Sequence, residues 1–330
     1  MKILITGASG FLGKFLCKKL EEEDNELFKT NSKESDLTKE NSLNLYKHIK
    51  FDQIYHLAAW TQAGDFCIYH PGEQWINNQK INTNVLTWWK NHQPQAKMIA
   101  MGTSCSYDPE MAHVEQNFLK GCPIDSLYAY AMTKRMLLIG LISLQKQYKL
   151  QYLYIVPSTL YGPQYHVDGR QMHFIFDIIR KIILGKEQNE KVVLWGDGMQ
   201  RRELVHVEDF IKIMLRLVKT ENNTVINIGA GKDYNIQQFA KKVSDIVNFD
   251  FNKINFDTKK YVGAKSKILV IEKLKFIIGD YKFIPLNKGF EETIKWFYQN
   301  KKLLLDRAPS LVVAPTKINL FTGNLITLAA

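Results

Sequence analysis

Gly102-Thr103-Ser104-Cys105-Ser106-Tyr107, followed by Tyr130-Ala131-Met132-Thr133-Lys134, supplies a hydroxyl, a phenol and an ammonium among which one proton could be passed. A free phenol has a pKa of about 10, too high for a base near neutrality. On a helix, Lys134 lies one turn from Tyr130 on the same face. Its charge is expected to favour phenolate and so lower the Tyr130 pKa. A nearby Thr103 hydroxyl would hold the substrate oxygen that gains or loses the proton. Tyr-x-x-x-Lys by itself is common on plain helix surfaces, so its chemical reading depends on the rest of the chain.

The N-terminus supplies that context. Residues 2–6 read as a short buried strand, and Gly7-Ala8-Ser9-Gly10-Phe11-Leu12-Gly13 follows it. A helical stripe then runs through Leu12, Phe15, Leu16 and Leu20. Strand, glycine loop and helix in this order form a dinucleotide site. The glycines permit a tight turn and let backbone N–H groups approach a pyrophosphate at the helix N-terminus. The spacing is G-x-x-G-x-x-G rather than G-x-G-x-x-G.

Such a site needs a sheet to carry it. Up to about residue 155 the chain alternates apolar strands with amphipathic helices, the pattern of an α/β doubly wound parallel sheet. Strands are expected near 2–6, 25–29, 53–58, 97–103 and 151–156. The helix holding Tyr130 and Lys134 is expected to run to about residue 148, burying Leu137, Leu138, Leu141 and Leu144. Residues 192–195 and 226–229 read as further strands, and 236–247 as a helix.

Together the two motifs resemble the extended short-chain dehydrogenase/reductase family of NAD-dependent epimerases and dehydratases, over roughly residues 1–300. Asp36-Leu37 resembles the family's acidic-apolar pair at the adenine. Residues 54–59, ending Leu57-Ala58-Ala59, resemble its fourth strand, whose end lies against the cofactor. Asn78 and Asn84 fall in a segment resembling the helix beside the active site. Residues 156–163, with Pro157 and Thr159, resemble the strand and loop that close over the nicotinamide. Residues 202–209 resemble the R-E-F-x-H-V-x-D element of nucleotide-sugar enzymes. The resemblance implies that Arg202 grips a diphosphate, a task suited to an Arg fork.

Within the family the chain is most similar to the GDP-fucose synthase branch. Residues 102–107 match its G-S-S-C-x-Y, with Thr103 at the catalytic hydroxyl and Cys105 at the epimerisation cysteine. Residues 115–121 match E-S-E-L-L-x-G. His173 matches the partner acid of epimerisation, and Trp195-Gly196-Asp197-Gly198 matches W-G-S-G, whose Trp lies beside guanine. Two alternatives stay open: Cys105 as a small core residue, and His173 as a partner for a phosphate or backbone group.

The implied organisation is a Rossmann doubly wound sheet with a smaller C-terminal substrate-binding domain. Residues 1–160 with part of 205–245 would bind NAD(P); 161–204 and 246–302 would bind the nucleotide sugar. Residues 303–330 form a tail without an assigned role; from 308 onward its one charge is Lys317. The implied cofactor contacts are Gly7, Ser9, Gly10, Phe11, Leu12, Gly13, Asp36, Leu37, Leu57, Ala58, Ala59, Asn78, Tyr130, Lys134 and Pro157. Thr159, Trp195 and Arg202 would contact substrate. No arginine precedes Arg135, and Ala8 and Ser9 stand where NADPH-binding relatives often carry one. NAD is therefore expected, with NADP as the alternative.

The expected activity is oxidoreduction at C4 of a GDP-linked hexose or heptose, in glycan-precursor (capsule or lipopolysaccharide) biosynthesis. A 3,5-epimerase/4-reductase is the alternative. A dinucleotide-sensing binding protein is the rival from another class, but such proteins tend to lose the Tyr-Lys pair.

Composition fits. The 330 residues are 45 % hydrophobic and 23 % charged, with a net charge of +11. The lysines are scattered and accompany no zinc finger, helix-turn-helix or aromatic-basic motif, so an anionic diphosphate partner is expected rather than nucleic acid. Cys17, Cys67, Cys105 and Cys122 show no metal spacing and read as reduced thiols of a cytoplasmic enzyme. The start reads as a core strand, not a signal peptide. No run approaches about 18 apolar residues, so no transmembrane helix is expected. A homodimer built on the Tyr130 helix and the long helix before it is implied by the resemblance.

Overall fold

Runs of consecutive apolar residues become strands covered on both faces. In β1 (Lys2–Thr6), Ile3, Leu4 and Ile5 are all fully buried, as a parallel strand between two helical layers requires. The computed structural model describes residues 1–63, 66–166, 172–260 and 262–300, plus two short antiparallel segments, Lys317–Ile318 and Leu325–Ile326. Apart from those segments, the 303–330 tail lies outside the described residues.

After β1 come α1 (Phe11–Glu21), β2 (Glu26–Lys29), β3 (Gln53–His56), α2 (Phe66–Tyr69), α3 (Pro71–His92), β4 (Lys97–Met101), α4 (Tyr128–Tyr148) and β5 (Tyr152–Pro157). The chain continues through β6 (Thr159–Tyr161), α5 (Phe174–Gln188), β7 (Val192–Trp195), β8 (Arg201–His206), α6 (Val207–Thr220) and β9 (Thr224–Ile228). It ends with β10 (Asp233–Asn235), α7 (Ile236–Val247), β11 (Ile254–Asp257), β12 (Ser266–Lys267), α8 (Glu272–Ile278) and α9 (Leu286–Gln299).

Six strands form one parallel sheet in the order β2-β1-β3-β4-β5-β9. The order reverses between β1 and β3, and ligands of such sheets bind at the C-terminal strand ends beside that switch point. α1 packs with α6, and α3 packs with α4. Smaller sheets, β10-β8-β12 with β6 on β8, and β11-β7, are built from the chain after β5.

Two apolar clusters fill the molecule. The first holds the large sheet with α1, α3, α4, α6 and α8; the second joins α5, α7 and α9. Ile236, Phe239 and Val243 of α7 thus pack with the second cluster. α8 joins the first through Leu274.

One expectation is corrected. The helical segment Asp125–Tyr148, which contains α4, is long and apolar enough to cross a membrane. Its apolar length has a local cause: α4 packs on β5 and on α3, so more than one face is apolar. The same helix carries buried Lys134 and Arg135.

Candidate active site

The glycine loop is built as a cradle. Gly7 has φ +71°, and a Cβ there would lie 2.8 Å from Ala58 N. Gly10 N donates to Gly7 O at 3.0 Å and closes the turn. A Cβ on Gly13 would overlap Gly7 O and lie 2.7 Å from Ala8 O, so α1 packs directly on the turn. Gly10 caps α1 without a side-chain bond, and the first turn carries no acid. An uncapped helix N-terminus without negative charge favours an anion, so these residues fit a pyrophosphate. Ser9 is exposed there, and Phe11 and Leu12 are half-buried.

The neighbouring strand ends complete the cradle. Leu57 N and Ala58 N donate to Thr6 O and Thr6 Oγ1 at 3.2 and 3.3 Å, bringing Leu57, Ala58 and Ala59 beside the glycine loop. Asn78 is spent on backbone: its Oδ1 accepts from Trp60 N, and its Nδ2 donates to Trp60 O and Gln74 O. These bonds fix the loop after β3. Asn84 likewise donates to Leu37 O at 2.9 Å. The Asp36 carboxylate accepts from Thr38 Oγ1 and Thr38 N, which hold it below the usual carboxylate range. Beyond β2, Asn31 Oδ1 accepts from Lys33 N and Glu34 N, and Lys29 pairs with Glu21.

The catalytic helix is held to the serine-rich turn by backbone carbonyls. Ser106 Oγ donates to Ala131 O at 3.1 Å. Arg135 donates through Nε and Nη2 to Ser106 O, and through Nη1 and Nη2 to Gly121 O and Lys120 O. Tyr154 Oη donates to Lys134 O at 2.7 Å, and a Cβ on Gly102 would meet that ring at 2.6 Å. Thr103, Cys105, Tyr130 and Lys134 are thereby brought to one end of the sheet.

Burial reverses one expectation. It raises the Tyr130 phenol well above its ordinary pKa, and the Cys105 and Cys67 thiols raise it further. Burial also pushes Lys134 down, to about 8. The protein's own groups therefore keep Tyr130 protonated at neutral pH, with desolvation of the phenolate as the leading cause.

Cys105 has a partner that sequence spacing did not indicate. Lys267 Nζ donates to Cys105 Sγ at 3.3 Å, across 162 positions of sequence. Burial pushes this thiol up, but Lys267, the Thr103 hydroxyl and Arg202 more than offset it, leaving it below its ordinary value. Lys267 sits on β12, paired with β8 opposite Arg202. Glu203, buried on β8, accepts from Leu269 N and Gly231 N and fixes that register; burial pushes its carboxyl up to about 7. Lys267→Met is expected to slow iodoacetamide alkylation of Cys105 at pH 7, because loss of the ammonium raises the thiol pKa and lowers the thiolate fraction. An unchanged rate would show that the ammonium does not activate the thiol.

His173 caps α5 and is exposed to solvent. Surrounding protein pushes the imidazole down, with Lys267 and His166 adding to it, so the ring is neutral at pH 7. Solvent access tempers the depression without changing its direction. Arg202 stands near enough to Cys105 to lower its thiol, and both line a cleft of about 90 Å³ with Lys267 and His113. Thr159 lies on β6, which pairs with β8, and Pro157 ends β5. Trp195 is 43 % exposed at the end of β7, with Lys181 Nζ 5.8 Å from its ring centroid.

Comparison with known proteins agrees with this geometry. The model of the NAD dependent epimerase/dehydratase family matches residues 3–229. GDP-L-colitose synthase of Yersinia pseudotuberculosis is 29% identical over 309 residues, covering 91% of this chain and 99% of its own. GDP-L-fucose synthase of Escherichia coli K12 is 27% identical over 319 residues, covering 91% and 97%. Among solved structures, a GDP-6-OMe-4-keto-L-xylo-heptose reductase from C. jejuni shares the fold with a TM-score of 0.83 at 21% identity, over 91% of this chain and 98% of its own. A GDP-L-fucose synthetase from Naegleria fowleri bound to NADP gives 0.80 at 22% identity, over 91% and 95%. With a family model spanning the sheet, the glycine loop and the Tyr130 helix, the chain belongs to the NAD dependent epimerase/dehydratase family, the extended short-chain dehydrogenases/reductases.

Proposed function

We propose that the chain is a nicotinamide-dependent oxidoreductase acting at C4 of a GDP-linked hexose or heptose, working as a 4-ketoreductase in glycan-precursor synthesis. The carrying observation is geometric: Tyr130 and Lys134 stand one turn apart on α4, with the Thr103-capped turn packed against that helix, at the sheet end that carries the glycine cradle. The bound reduced nicotinamide would supply hydride to C4. Tyr130 gives its proton to the C4 oxygen, Thr103 orients that oxygen, and the Lys134 charge makes the phenol a better donor. Gly7 to Gly13 hold the pyrophosphate, Arg202 takes the substrate diphosphate, and Trp195 flanks the base. In this reading residues 1–160 with part of 205–245 carry the cofactor, and 161–204 with 246–302 carry the sugar. NAD is the cofactor proposed, with NADP as the alternative; comparing kcat/KM for the two decides it.

The test mixes enzyme, reduced nicotinamide cofactor and GDP-4-keto-6-deoxymannose, then follows loss of nicotinamide absorbance. No turnover with GDP-linked 4-keto hexoses or heptoses overturns the reading. In the reducing direction, kcat is expected to be flat below about pH 8 and to fall above it as Lys134 loses its proton. Stability moves the other way. The ordinary lysine value is 10.5, so the unfolded chain binds more protons between about 8 and 10.5, and the Lys134 contribution to stability rises with pH there. A fall in kcat above pH 8 is therefore not loss of this part of the fold; the two are separated by measuring Tm at each pH.

A second reading has its own support, the lowered Cys105 thiol. As a 3,5-epimerase/4-reductase, the enzyme would use Cys105 and His173 to exchange protons at C3 and C5. Deuterium incorporation there from heavy water, lost in Cys105→Ser, would establish it; no incorporation excludes it.

The enzyme is proposed to be a cytoplasmic homodimer without membrane or nucleic-acid partners. For the dimer, support comes from the groove of about 350 Å³ between α3 and α4, with Met136 and Ile139 among its lining residues at 42 % and 41 % exposure. Ile139→Glu is expected to shift the species to monomer, read by light scattering, because it buries an unpaired charge at the interface.

A further inference from the structure

A chain of buried hydrogen bonds joins the glycine-loop strand to the catalytic helix, and the chemistry proposed above does not use it. Ala58 N donates to Thr6 Oγ1 at 3.3 Å. Thr6 Oγ1 lies 2.9 Å from His56 Nδ1, and His56 Nε2 lies 3.2 Å from Asn82 Oδ1. Asn82 Nδ2 donates to Thr133 O at 3.3 Å, and Thr133 Oγ1 donates to Tyr130 O at 2.7 Å. Thr6, His56, Asn82 and Thr133 are all at most 6 % exposed.

One proton arrangement satisfies every link. Asn82 uses its amide nitrogen on Thr133, so its oxygen must accept, and His56 Nε2 must carry a proton. His56 Nδ1 then accepts from the Thr6 hydroxyl, whose oxygen accepts from Ala58 N. The imidazole is neutral, with its proton on Nε2. Burial holds it so, pushing the ring down to about 4, and the nearby Lys134 charge acts in the same direction.

A buried polar chain adds little stability over apolar packing. What it adds is direction, since a fully satisfied network fixes one arrangement. We propose that His56 is a positioning residue for hydride transfer, tying the turn of α4 that carries Tyr130 and Lys134 to the strand ends that carry the glycine loop. β1 and β3 set the cofactor; α4 sets the proton donor; the His56 imidazole spans the space between them. This rests on the reading of Tyr130 as proton donor.

The test uses the whole enzyme with GDP-4-keto-6-deoxymannose and reduced nicotinamide cofactor, read by single-turnover absorbance. His56→Phe keeps a ring in place and removes both bonds. It is expected to slow hydride transfer by roughly 30- to 100-fold, the scale of an ångström of misplacement, with KM and cofactor Kd within about threefold. Asn82→Leu should do the same, and the double variant should be no worse than the poorer single. In a Tyr130→Phe background, His56→Phe should add less than about threefold, because it acts through Tyr130. Additive losses, or a wild-type rate in His56→Phe, overturn the proposal alone. A wild-type rate in Tyr130→Phe overturns the reading beneath it, and the proposal with it. Should His56→Phe fail to fold, ring-nitrogen NMR of the wild type decides, with Asn82→Leu used to assign the signal. A single neutral Nε2–H tautomer between pH 6 and 8.5 supports the lock; a titrating ring or the Nδ1–H tautomer overturns it.

Discussion

Tyr130→Phe is expected to lower kcat for reduction of a GDP-linked 4-keto sugar by about a thousandfold, with KM changed by no more than a few-fold. The substitution removes one oxygen from a half-buried side chain and leaves the ring. Among the described residues that oxygen makes no hydrogen bond to protein, so the fold loses no contact and Tm should stay within a degree or two. The effect is then chemical. Without the phenol, the C4 oxygen gains its proton from water, and the general-acid contribution disappears. The selective fall in kcat is the diagnostic part: an interaction made only in the transition state moves kcat and kcat/KM together. If KM rises while kcat holds, Tyr130 binds substrate but does not transfer a proton.

The second large effect is predicted at a position with no reactive group. Gly13→Ala is expected to weaken dinucleotide binding by about a hundredfold, near 2.8 kcal/mol, read by titration of reduced-nicotinamide fluorescence. Gly13 lies inside the first turns of α1, where alanine ordinarily favours the helix by about 1 kcal/mol over glycine. Here the added Cβ overlaps the carbonyl oxygen of Gly7 and crowds that of Ala8. These are backbone atoms and cannot swing aside. α1 must move off the turn, taking the Gly10 end of the helix away from the pyrophosphate. Gly72→Ala in α3 is the control, since nothing lies within 4 Å of its Cβ. Tight binding by Gly13→Ala would mean that the loop does not hold the dinucleotide by close helix packing.

The two predictions differ in how far ahead of the fold they could be made. Gly7, Gly10 and Gly13 are legible because a strand, a tight turn and a helix N-terminus are local objects, encoded within a dozen residues. The Tyr130–Lys134 pair is legible for the same reason, since helix geometry fixes its spacing. Sequence likewise placed strands 2–6, 53–58 and 192–195 close to where they lie, because apolar runs bounded by turns leave little choice. What the sequence did not show is that the Asn78 amide holds the Trp60 backbone. Its side-chain direction depends on a loop that no helical pattern specifies.

The sequence by itself determined a dinucleotide loop, a Tyr-Lys pair on one helical face and a family likeness reaching a GDP-linked substrate. Only the tertiary structure decided the state of those groups. It packed protein around Tyr130 that raises the phenol pKa, the reverse of the lowering that helix spacing suggested, because desolvation depends on everything packed around a group. It brought Lys267 to Cys105 across 162 positions and locked His56 between Thr6 and Asn82. Local spacing fixes which side chains share a face. Solvation and long-range partners, which set their proton affinities, exist only once β12 and α3 have packed against the catalytic turn and helix.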